Sequence, residues 1–323
     1  MTQTILEATE LKKYFPMRAG VFSKVRGYVK AVDGVSIKVQ SGETFGLVGE
    51  SGCGKSTLGR LLLRLITPTA GETFFEGTNI YQLNSKKMRD FRRYFQIIFQ
   101  DPYASLNPKM KIGNIIGEPL IVYNLVSTDQ EKKKRVEELL EIVGLSKAHY
   151  GRFPHEFSGG QRQRIGIARA LTLNPKLVIC DEAVSALDVS VQAQILNLLK
   201  QLQKDFGLTY IFISHDLSVV KYVSDRVGVM YLGKIVEMGD CNRIYKEPFH
   251  PYTKALLSSV PDPNPRMRKE HIVLEGEIPN PLNPPEGCTF HTRCPQAMDI
   301  CNNIVPQLRM LTNGHWVACH VYD

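Results

Sequence analysis

The chain has 323 residues, of which 43% are hydrophobic and 22% are charged, so it can bury a sizeable core and is not a disordered or fibrous protein. Forty lysines and arginines against 32 aspartates and glutamates give a formal net charge of +8, which fits solvated basic faces or an affinity for anionic ligands such as lipid headgroups and nucleotides. No basic stripe is interleaved with aromatic residues, which disfavours a nucleic-acid-binding protein.

The beginning of the chain, MTQTILEATE, has neither the basic nor the apolar segment of a secretory signal. No stretch reaches the roughly 18 apolar residues that a membrane-spanning helix needs. We therefore expect a protein of the cytosol, either soluble or peripheral to the membrane. In that compartment its seven cysteines are not expected to form disulfides.

Strands dominate the first third of the chain. Residues 5–11 and 30–39 alternate between apolar and polar side chains, as half-buried antiparallel strands do. Residues 43–49 form a nearly continuous apolar run, which is typical of a fully buried strand, and an apolar helix is predicted after the glycine-rich loop that follows. A further strand is predicted over residues 95–99.

A helical region comes next. Thr128 with Glu131 three residues later predicts a capping box at the start of a helix, and Gly144 predicts its end. Between them, four apolar residues repeat at the spacing of one helix face, namely Val136, Leu139, Leu140 and Val143. We therefore expect a helical subdomain, over about residues 102–172, inserted in an α/β fold.

The later part of the chain alternates strands and helices. Residues 176–182 and 208–216 read as buried strands, separated by an amphipathic helix over residues 190–206. The pattern of residues 226–239, two apolar runs around Gly233, predicts a hairpin that turns at this glycine. Such alternation predicts an α/β protein with a mixed sheet.

Composition changes near residue 248, where proline becomes frequent up to Pro295. This favours an irregular, extended tail that includes the strings PDPNP and PNPLNPP. We predict two domains, residues 1–247 and a C-terminal extension of residues 248–323.

A phosphate-binding loop is predicted at Gly49–Thr57, where GESGCGKST fits the pattern G-x-x-x-x-G-K-[ST]. Glycines let backbone N–H groups converge on phosphate oxygens, and the following helix adds its positive end. Lys55 is expected to reach the β- and γ-phosphates, and Ser56 to bind Mg²⁺. The predicted binding residues are Gly49, Glu50, Ser51, Gly52, Cys53, Gly54, Lys55, Ser56 and Thr57.

Two carboxylates, Asp181 and Glu182, end a buried strand. Such a pair is also typical of a solvated loop start, but beside a phosphate loop it indicates nucleotide hydrolysis. We expect Asp181 to hold the magnesium ion through water and Glu182 to polarise the attacking water.

Together these motifs resemble the ATP-binding subunits of ABC transporters over residues 5–260. The resemblance implies that Gln100 is the Q-loop glutamine, which contacts magnesium and water, and that His215 is the switch histidine. Phe15, or its neighbour Tyr14, matches the aromatic residue that stacks on adenine. The fold implied is an α/β P-loop NTPase core of the ABC type with an antiparallel β subdomain, an inserted helical subdomain and a small Cys-rich C-terminal extension.

The resemblance also implies a dimer. Ser158, Gly159, Gly160 and Gln161 match the family signature, and Asp188 belongs to the D-loop in SALD. In the family, two subunits arranged head to tail place the signature serine and glycines on the γ-phosphate of the partner. Ala183 and Val184 depart from the frequent family sequence at positions that carry no chemistry, so no loss of activity is expected.

Residues 101–110 and 250–261 resemble the oligopeptide and dipeptide importer subfamily, and residues 181–199 favour the second of its two ATPase subunits. The partners implied are a related ATPase subunit, two transmembrane permease subunits and an extracytoplasmic peptide-binding protein, with the chain peripheral at the cytoplasmic face of the membrane. Importers of nickel, opines or sugar-peptides share this architecture and stay open as alternatives. A soluble ABC ATPase of DNA repair is disfavoured, because no heptad run separates the motifs.

Four cysteines cluster near the end of the chain, at Cys288, Cys294, Cys301 and Cys319. They could be reduced thiols on a loop-rich appendage, or ligands of zinc, but the C-x2-C spacing common in zinc sites is absent. Possible substitute ligands are His291, His315 and His320. The family resemblance implies a [4Fe–4S] cluster held by the four thiolates.

Overall fold

The computed structural model describes residues 3–19, 24–101, 103–260, 272–312 and 314–323. The chain forms two compact units, the first from Met1–Gln82 and Ile213–Asp323 and the second from Leu83–Phe212. The first unit therefore combines both ends of the sequence. The string PDPNP, expected to be irregular, lies outside the described residues.

Strands of two sheets and four α-helices account for most of the regular structure described in the first unit. Their bounds are β1 Thr4–Ala19, β2 Lys24–Gln40, β3 Thr44–Val48, α1 Lys55–Leu62, β4 Ala70–Phe75, β5 Thr78–Asn79, α7 Leu217–Val223, β9 Arg226–Tyr231, β10 Lys234–Asp240, α8 Cys241–Lys246, α9 Pro251–Ser258, β11 Arg309–Thr312 and β12 His315–Val317.

The second unit holds most of the inserted helices. Its elements are α2 Ser85–Phe91, β6 Phe95–Ile98, α3 Ile112–Val122, α4 Asp129–Ile142, α5 Gly159–Leu171, β7 Leu177–Asp181 and α6 Val189–Phe206. Strand β8, Thr209–Ile213, carries the chain back to the first unit.

The first sheet confirms the predicted antiparallel pair. Strands β1 and β2 pair with Leu6 opposite Val39 and Ala8 opposite Ile37, and the sheet order is β2–β1–β4–β5. Both strands run further than the alternating pattern predicts. Their pairing continues through register shifts and past Pro16. The two strands therefore stay paired beyond the residues in which apolar and polar side chains alternate.

A second set of strands leads to the phosphate loop. β3 is buried throughout and pairs in parallel with β9, and β9 pairs antiparallel with β10. The hairpin turns at Leu232 and Gly233, both with positive φ, which confirms the predicted turn. Strands β12 and β11 extend β10 and were not predicted, because they are short and their pairing is set by tertiary contact.

The region after β10 is anchored by Glu237, a fully buried carboxylate of that strand. It accepts hydrogen bonds from the backbone N–H groups of Phe249 and His250, at 2.8 and 3.0 Å. Its other contact is His315 of β12, whose Nε2 lies 2.7 Å from Oε1. One carboxylate thus satisfies polar groups from two distant stretches of the C-terminal region.

His250 should make stability depend on pH. Its Nδ1 accepts the N–H of Tyr252, which requires a neutral ring, and burial lowers the pKa of His250 from 6.5 to about 4 despite the nearby carboxylate of Glu237. The unfolded chain therefore binds this proton first, so the free energy of unfolding should fall by about 3 kcal/mol as the pH drops from about 6.5 to about 4. His250→Asn keeps a capping acceptor without the titration, and urea unfolding at several pH values should show a flatter dependence.

His155→Asn is the matched control, since it makes the same substitution at an exposed position. A pH dependence in His250→Asn as steep as that of the wild type would contradict the assignment.

Helix α4 of the second unit begins and ends as predicted. The Thr128 hydroxyl accepts from the N–H of Glu131, while the Glu131 carboxylate accepts from Ser127 rather than from the cap residue itself. The predicted apolar face is buried, and Gly144 ends the helix with a φ of +75°. Within the described part of the chain, no helix is both long and apolar enough to span a bilayer.

Candidate nucleotide site

The phosphate loop connects β3 to α1 in the first unit, and its glycines are required by close backbone contacts. A Cβ atom at Gly49 would lie 2.1 Å from the carbonyl oxygen of Met230, and one at Gly54 would lie 2.0 Å from that of Ala31. Both glycines also have positive φ, +151° and +107°. The loop therefore lies directly against β9 and β2, where no side chain fits.

Lys55 is buried in the curve of this loop at the first position of α1. Its ammonium group donates to the carbonyl oxygens of Gly49 and Glu50, at 2.8 and 2.9 Å, and lies 3.7 Å from the sulfur of Cys53. Burial raises the pKa of the Cys53 thiol, so that group is neutral beside the lysine at pH 7. A phosphate oxygen in the loop would compete with the two carbonyls for the ammonium group.

Ser56 and Thr57 occupy the first turn of α1 and are half-buried. The N–H groups of a first helical turn have no intrahelical partner, and the helix end is positive. Both features suit an anion, so the chemistry of the loop agrees with the nucleotide site predicted from Gly49–Thr57.

Of the two candidate aromatic residues, Phe15 has the exposed ring. Its side chain is 39% exposed, and the Lys13 ammonium lies 5.1 Å from its centroid. The Tyr14 hydroxyl is bonded to Asp33 at 2.5 Å, and burial together with this contact raises the pKa of Tyr14. Stacking on adenine is therefore better suited to Phe15.

His215 follows β8 in a backbone held on both sides. The Ser214 N–H donates to Leu47 of β3, and the Ser214 hydroxyl accepts the N–H of Asp216. Asp216 in turn caps α7 by accepting from Ser218. His215 is exposed at this fixed point in the first unit, as a residue that contacts a ligand or partner must be.

In the second unit, parallel pairing brings two predicted residues together. Ile98 of β6 lies opposite Cys180 of β7 in the parallel pair. Gln100 and Glu182, each two positions further along its chain segment, therefore leave the sheet at the same edge. There the Gln100 amide donates to the Glu182 carboxylate at 2.7 Å. Glu182 has a φ of +50°, an uncommon conformation for a non-glycine residue, and follows the buried Asp181.

The predicted signature forms the start of α5 in the second unit. The Ser158 hydroxyl accepts from the N–H of Gln161, and the Gln161 side chain accepts from the N–H of Ser158, which makes a reciprocal capping box. A Cβ at Gly160 would lie 2.4 Å from Val191 of α6. Ser158 is exposed, so this helix end faces solvent. Asp188 is also exposed, at the start of α6.

Sequence reasoning missed two residues that hold the phosphate loop. Arg293 and Tyr252, both in the predicted C-terminal extension, contact Glu50. Tyr252 lies in the stretch 250–261 that resembles peptide importers, and Arg293 precedes Cys294, but neither pattern indicates a contact with a loop more than 200 positions away in the sequence.

The four clustered cysteines lie near one another in the first unit. Burial raises the pKa of Cys288 to about 11, and the other three thiols contribute to that rise. The backbone N–H of Cys288 donates to the carbonyl of Cys301 at 2.8 Å. Yet, over the described ranges, no three His, Cys, Asp or Glu side chains are arranged as metal ligands. The type of donor suits a soft metal or an iron–sulfur cluster, while this arrangement does not constitute a centre.

A cavity of about 550 Å³ also lies in the first unit. It is lined by parts of β1, β2 and β10 together with Trp316, and by none of the phosphate-loop residues. It is therefore distinct from the nucleotide site.

Comparison with known proteins gives two family matches. Residues 32–185 match the family described as ABC transporter, and residues 236–301 match the C-terminal region of oligopeptide/dipeptide transporters.

Individual relatives extend over nearly the whole chain. The oligopeptide transport ATP-binding protein AppF of Bacillus subtilis is 57% identical, covering 99% of this chain and 98% of AppF. The dipeptide transport ATP-binding protein DppF of Haemophilus influenzae is 51% identical, over 99% of this chain and 97% of DppF. Among solved structures, the dimeric ATP-binding cassette MJ0796, in a post-hydrolysis state bound to ADP and Pi, matches with a TM-score of 0.64 and 27% identity, covering 73% of this chain and 98% of MJ0796.

Proposed function

The chain belongs to the family of ATP-binding proteins of oligopeptide and dipeptide ABC transporters, and from that premise we propose that it hydrolyses ATP to power peptide import across the cytoplasmic membrane. The observation that carries the proposal is the hydrogen bond between Gln100 and Glu182 at the end of two parallel strands. It pairs a candidate magnesium and water contact with the candidate catalytic carboxylate. An ATPase of this family needs both groups beside a phosphate loop.

We propose a role in that reaction for the predicted site residues. Ser56, Gln100 and Asp181 would hold Mg²⁺, which neutralises charge on the β- and γ-phosphates when bound. Lys55 contacts the same phosphates, while Glu182 polarises water and His215 contacts the γ-phosphate. Phe15 stacks on adenine, supported by its exposed ring.

The domains are proposed as predicted from the sequence. Residues 1–247 form the ATPase domain, and its helical subdomain, about residues 102–172, contacts a membrane subunit. Residues 248–323 form the extension, supported by the family match over residues 236–301.

We further propose that hydrolysis requires a second, related ATPase subunit. The start of α5, with Ser158–Gln161, faces solvent and suits an anion. The phosphate loop of this chain belongs to the other compact unit. The MJ0796 cassette, a structural neighbour, is dimeric. In such a dimer Ser158, Gly159, Gly160 and Asp188 would act on the nucleotide of the partner.

Ser158→Ala tests this role. Loss of the cap should destabilise α5 by about 1 kcal/mol, and loss of a hydroxyl at the partner's γ-phosphate should lower ATP turnover by about 10- to 100-fold. Turnover is measured as phosphate release by the assembled transporter.

Thr128→Ala is the matched control, because it removes an equivalent cap from α4 and should leave turnover unchanged. Equal turnover in the two variants would contradict a role for Ser158 beyond capping.

The transport function is tested in proteoliposomes. The complex of this chain with its ATPase partner and two permease subunits, supplied with the extracytoplasmic binding protein, should accumulate radiolabelled peptide only with ATP. A complex that carries Glu182→Gln is the inactive control. ATP hydrolysis coupled to uptake of nickel, opines or sugar-peptides, with no peptide uptake, would replace the substrate class but retain the ATPase.

For the four cysteines we propose a [4Fe–4S] cluster with a structural or regulatory role, with Zn²⁺ as the alternative. The proposal is supported by the donor type of the four free cysteines and by the hydrogen bond that joins the backbones of Cys288 and Cys301. Protein purified without oxygen should be brown, absorb visible light and contain iron, and Cys294→Ser should lose all three while Cys241→Ser retains them. Stoichiometric zinc without iron would favour the alternative.

A further inference from the structure

An ion pair joins the C-terminal extension to the phosphate loop. The Arg293 guanidinium donates to both carboxylate oxygens of Glu50, from Nη1 at 2.9 Å and from Nη2 at 3.2 Å. The Arg293 side chain is only 8% exposed and that of Glu50 23% exposed. Bidentate pairs of this kind fix orientation as well as charge, and burial limits their screening by salt.

The backbone of Glu50 is held by the same C-terminal region. Its N–H donates to the Tyr252 hydroxyl at 2.9 Å, and Tyr252 is fully buried. The Tyr252 ring lies 4.7 Å from that of Tyr231 and 5.4 Å from that of Phe290, three residues before Arg293. Glu50 is therefore fixed through both its side chain and its backbone by residues that follow β9.

Glu50 also contacts the residues that would bind phosphate. Its carbonyl oxygen accepts from the Lys55 ammonium at 2.9 Å and from the backbone N–H of Cys53 at 3.3 Å. A shift of Glu50 would therefore move the partners of Lys55. The geometry of the loop therefore depends on Glu50 as well as on its glycines.

The charge of Glu50 makes the pair necessary. A carboxylate within a phosphate-binding loop would repel a nucleotide triphosphate, and the repulsion is strong where water is partly excluded. Arg293 neutralises that carboxylate, because both of its oxygens accept hydrogen bonds from the guanidinium.

We propose that Arg293 is a positioning residue for nucleotide binding, through which the C-terminal extension sets the affinity of the phosphate loop for ATP. This proposal rests on the ATP binding proposed above. Arg293 acts through Glu50 and does not itself contact the nucleotide.

The test is a rescue experiment on the full chain with MgATP as the probe. Arg293→Gln leaves the Glu50 carboxylate unpaired and should weaken ATP binding about tenfold, which corresponds to about 1.4 kcal/mol. Adding Glu50→Gln removes that unpaired charge, so the double variant should recover to within about threefold of the wild type. In the assembled transporter, Arg293→Gln should raise KM for ATP and change kcat by less than about twofold.

Two further variants separate positioning from folding. Arg293→Lys keeps the charge without the fork and should have an intermediate affinity. Arg309→Gln removes another arginine–carboxylate pair of the extension, with Asp323, and should bind ATP like the wild type. Should Arg293→Gln be poorly folded by thermal unfolding, Arg293→Lys and the double variant still carry the comparison.

Arg293→Gln with wild-type affinity, or a double variant as weak as Arg293→Gln, would overturn the proposal. Failure of the wild-type chain to bind ATP would instead overturn the proposed function, so the two failures are distinguishable.

Discussion

Glu182→Gln is expected to abolish ATP turnover while leaving ATP binding nearly intact. The substitution keeps the size of the side chain and its contact with Gln100, whose amide can donate to the new amide oxygen as it does to the carboxylate at 2.7 Å. It removes the charge that would draw a proton from the attacking water. General-base catalysis contributes about 100- to 10,000-fold, so phosphate release should fall by at least about 100-fold.

The same variant should accumulate in a closed dimer with ATP, because the nucleotide that holds the two subunits together is not consumed. Size-exclusion chromatography with ATP and Mg²⁺ measures this. Glu141→Gln, at an exposed carboxylate of α4 that pairs with Lys147, is the matched control and should turn over ATP like the wild type. Turnover in Glu182→Gln within about tenfold of the wild type would contradict the catalytic role.

Local patterns predicted much of the fold because they report the period and the caps of each element. The buried run at β3, the capped start of α4 at Thr128 and the turn at Gly233 all follow from residue types within a few positions. The sequence pattern does not predict helix α3 as a separate element, because two glycines and Pro119 interrupt its periodicity. Its stability comes from buried apolar side chains, which periodicity alone does not reveal.

In the candidate site, too, local patterns predict some features and tertiary contacts determine the others. Motif spacing predicts Lys55 and Glu182, because each lies next to a predictable helix or strand, whereas Gln100 is implied by the family resemblance; the roles of all three stay predictions. Motif spacing could not show that Glu182 has a left-handed backbone, nor that Glu50 pairs with Arg293. Those features depend on tertiary contacts between residues far apart in the sequence, for which a single sequence holds no signal.

Gly54→Ala is expected to abolish nucleotide binding. The added methyl group would lie 2.0 Å from the carbonyl oxygen of Ala31 and 2.9 Å from the methyl of Met230, while the backbone keeps a φ of +107°. Neither the strand backbone nor the loop can relieve this contact without moving, so the loop should leave its phosphate-binding geometry. We expect ATP affinity to fall by at least about 100-fold and the free energy of unfolding to fall by about 2–4 kcal/mol.

Gly77→Ala separates backbone strain from steric exclusion. Gly77 has a φ of +78° and no atom within 4 Å of its would-be Cβ, and it lies in the turn between β4 and β5. Its substitution should cost about 1 kcal/mol in urea unfolding and leave ATP affinity unchanged. Because both glycines have positive φ, any further loss in Gly54→Ala measures the close contact with Ala31. Titration calorimetry with MgATP measures the ATP affinity of both variants. Equal affinities in Gly54→Ala and Gly77→Ala would mean that the phosphate loop does not need its contact with β2.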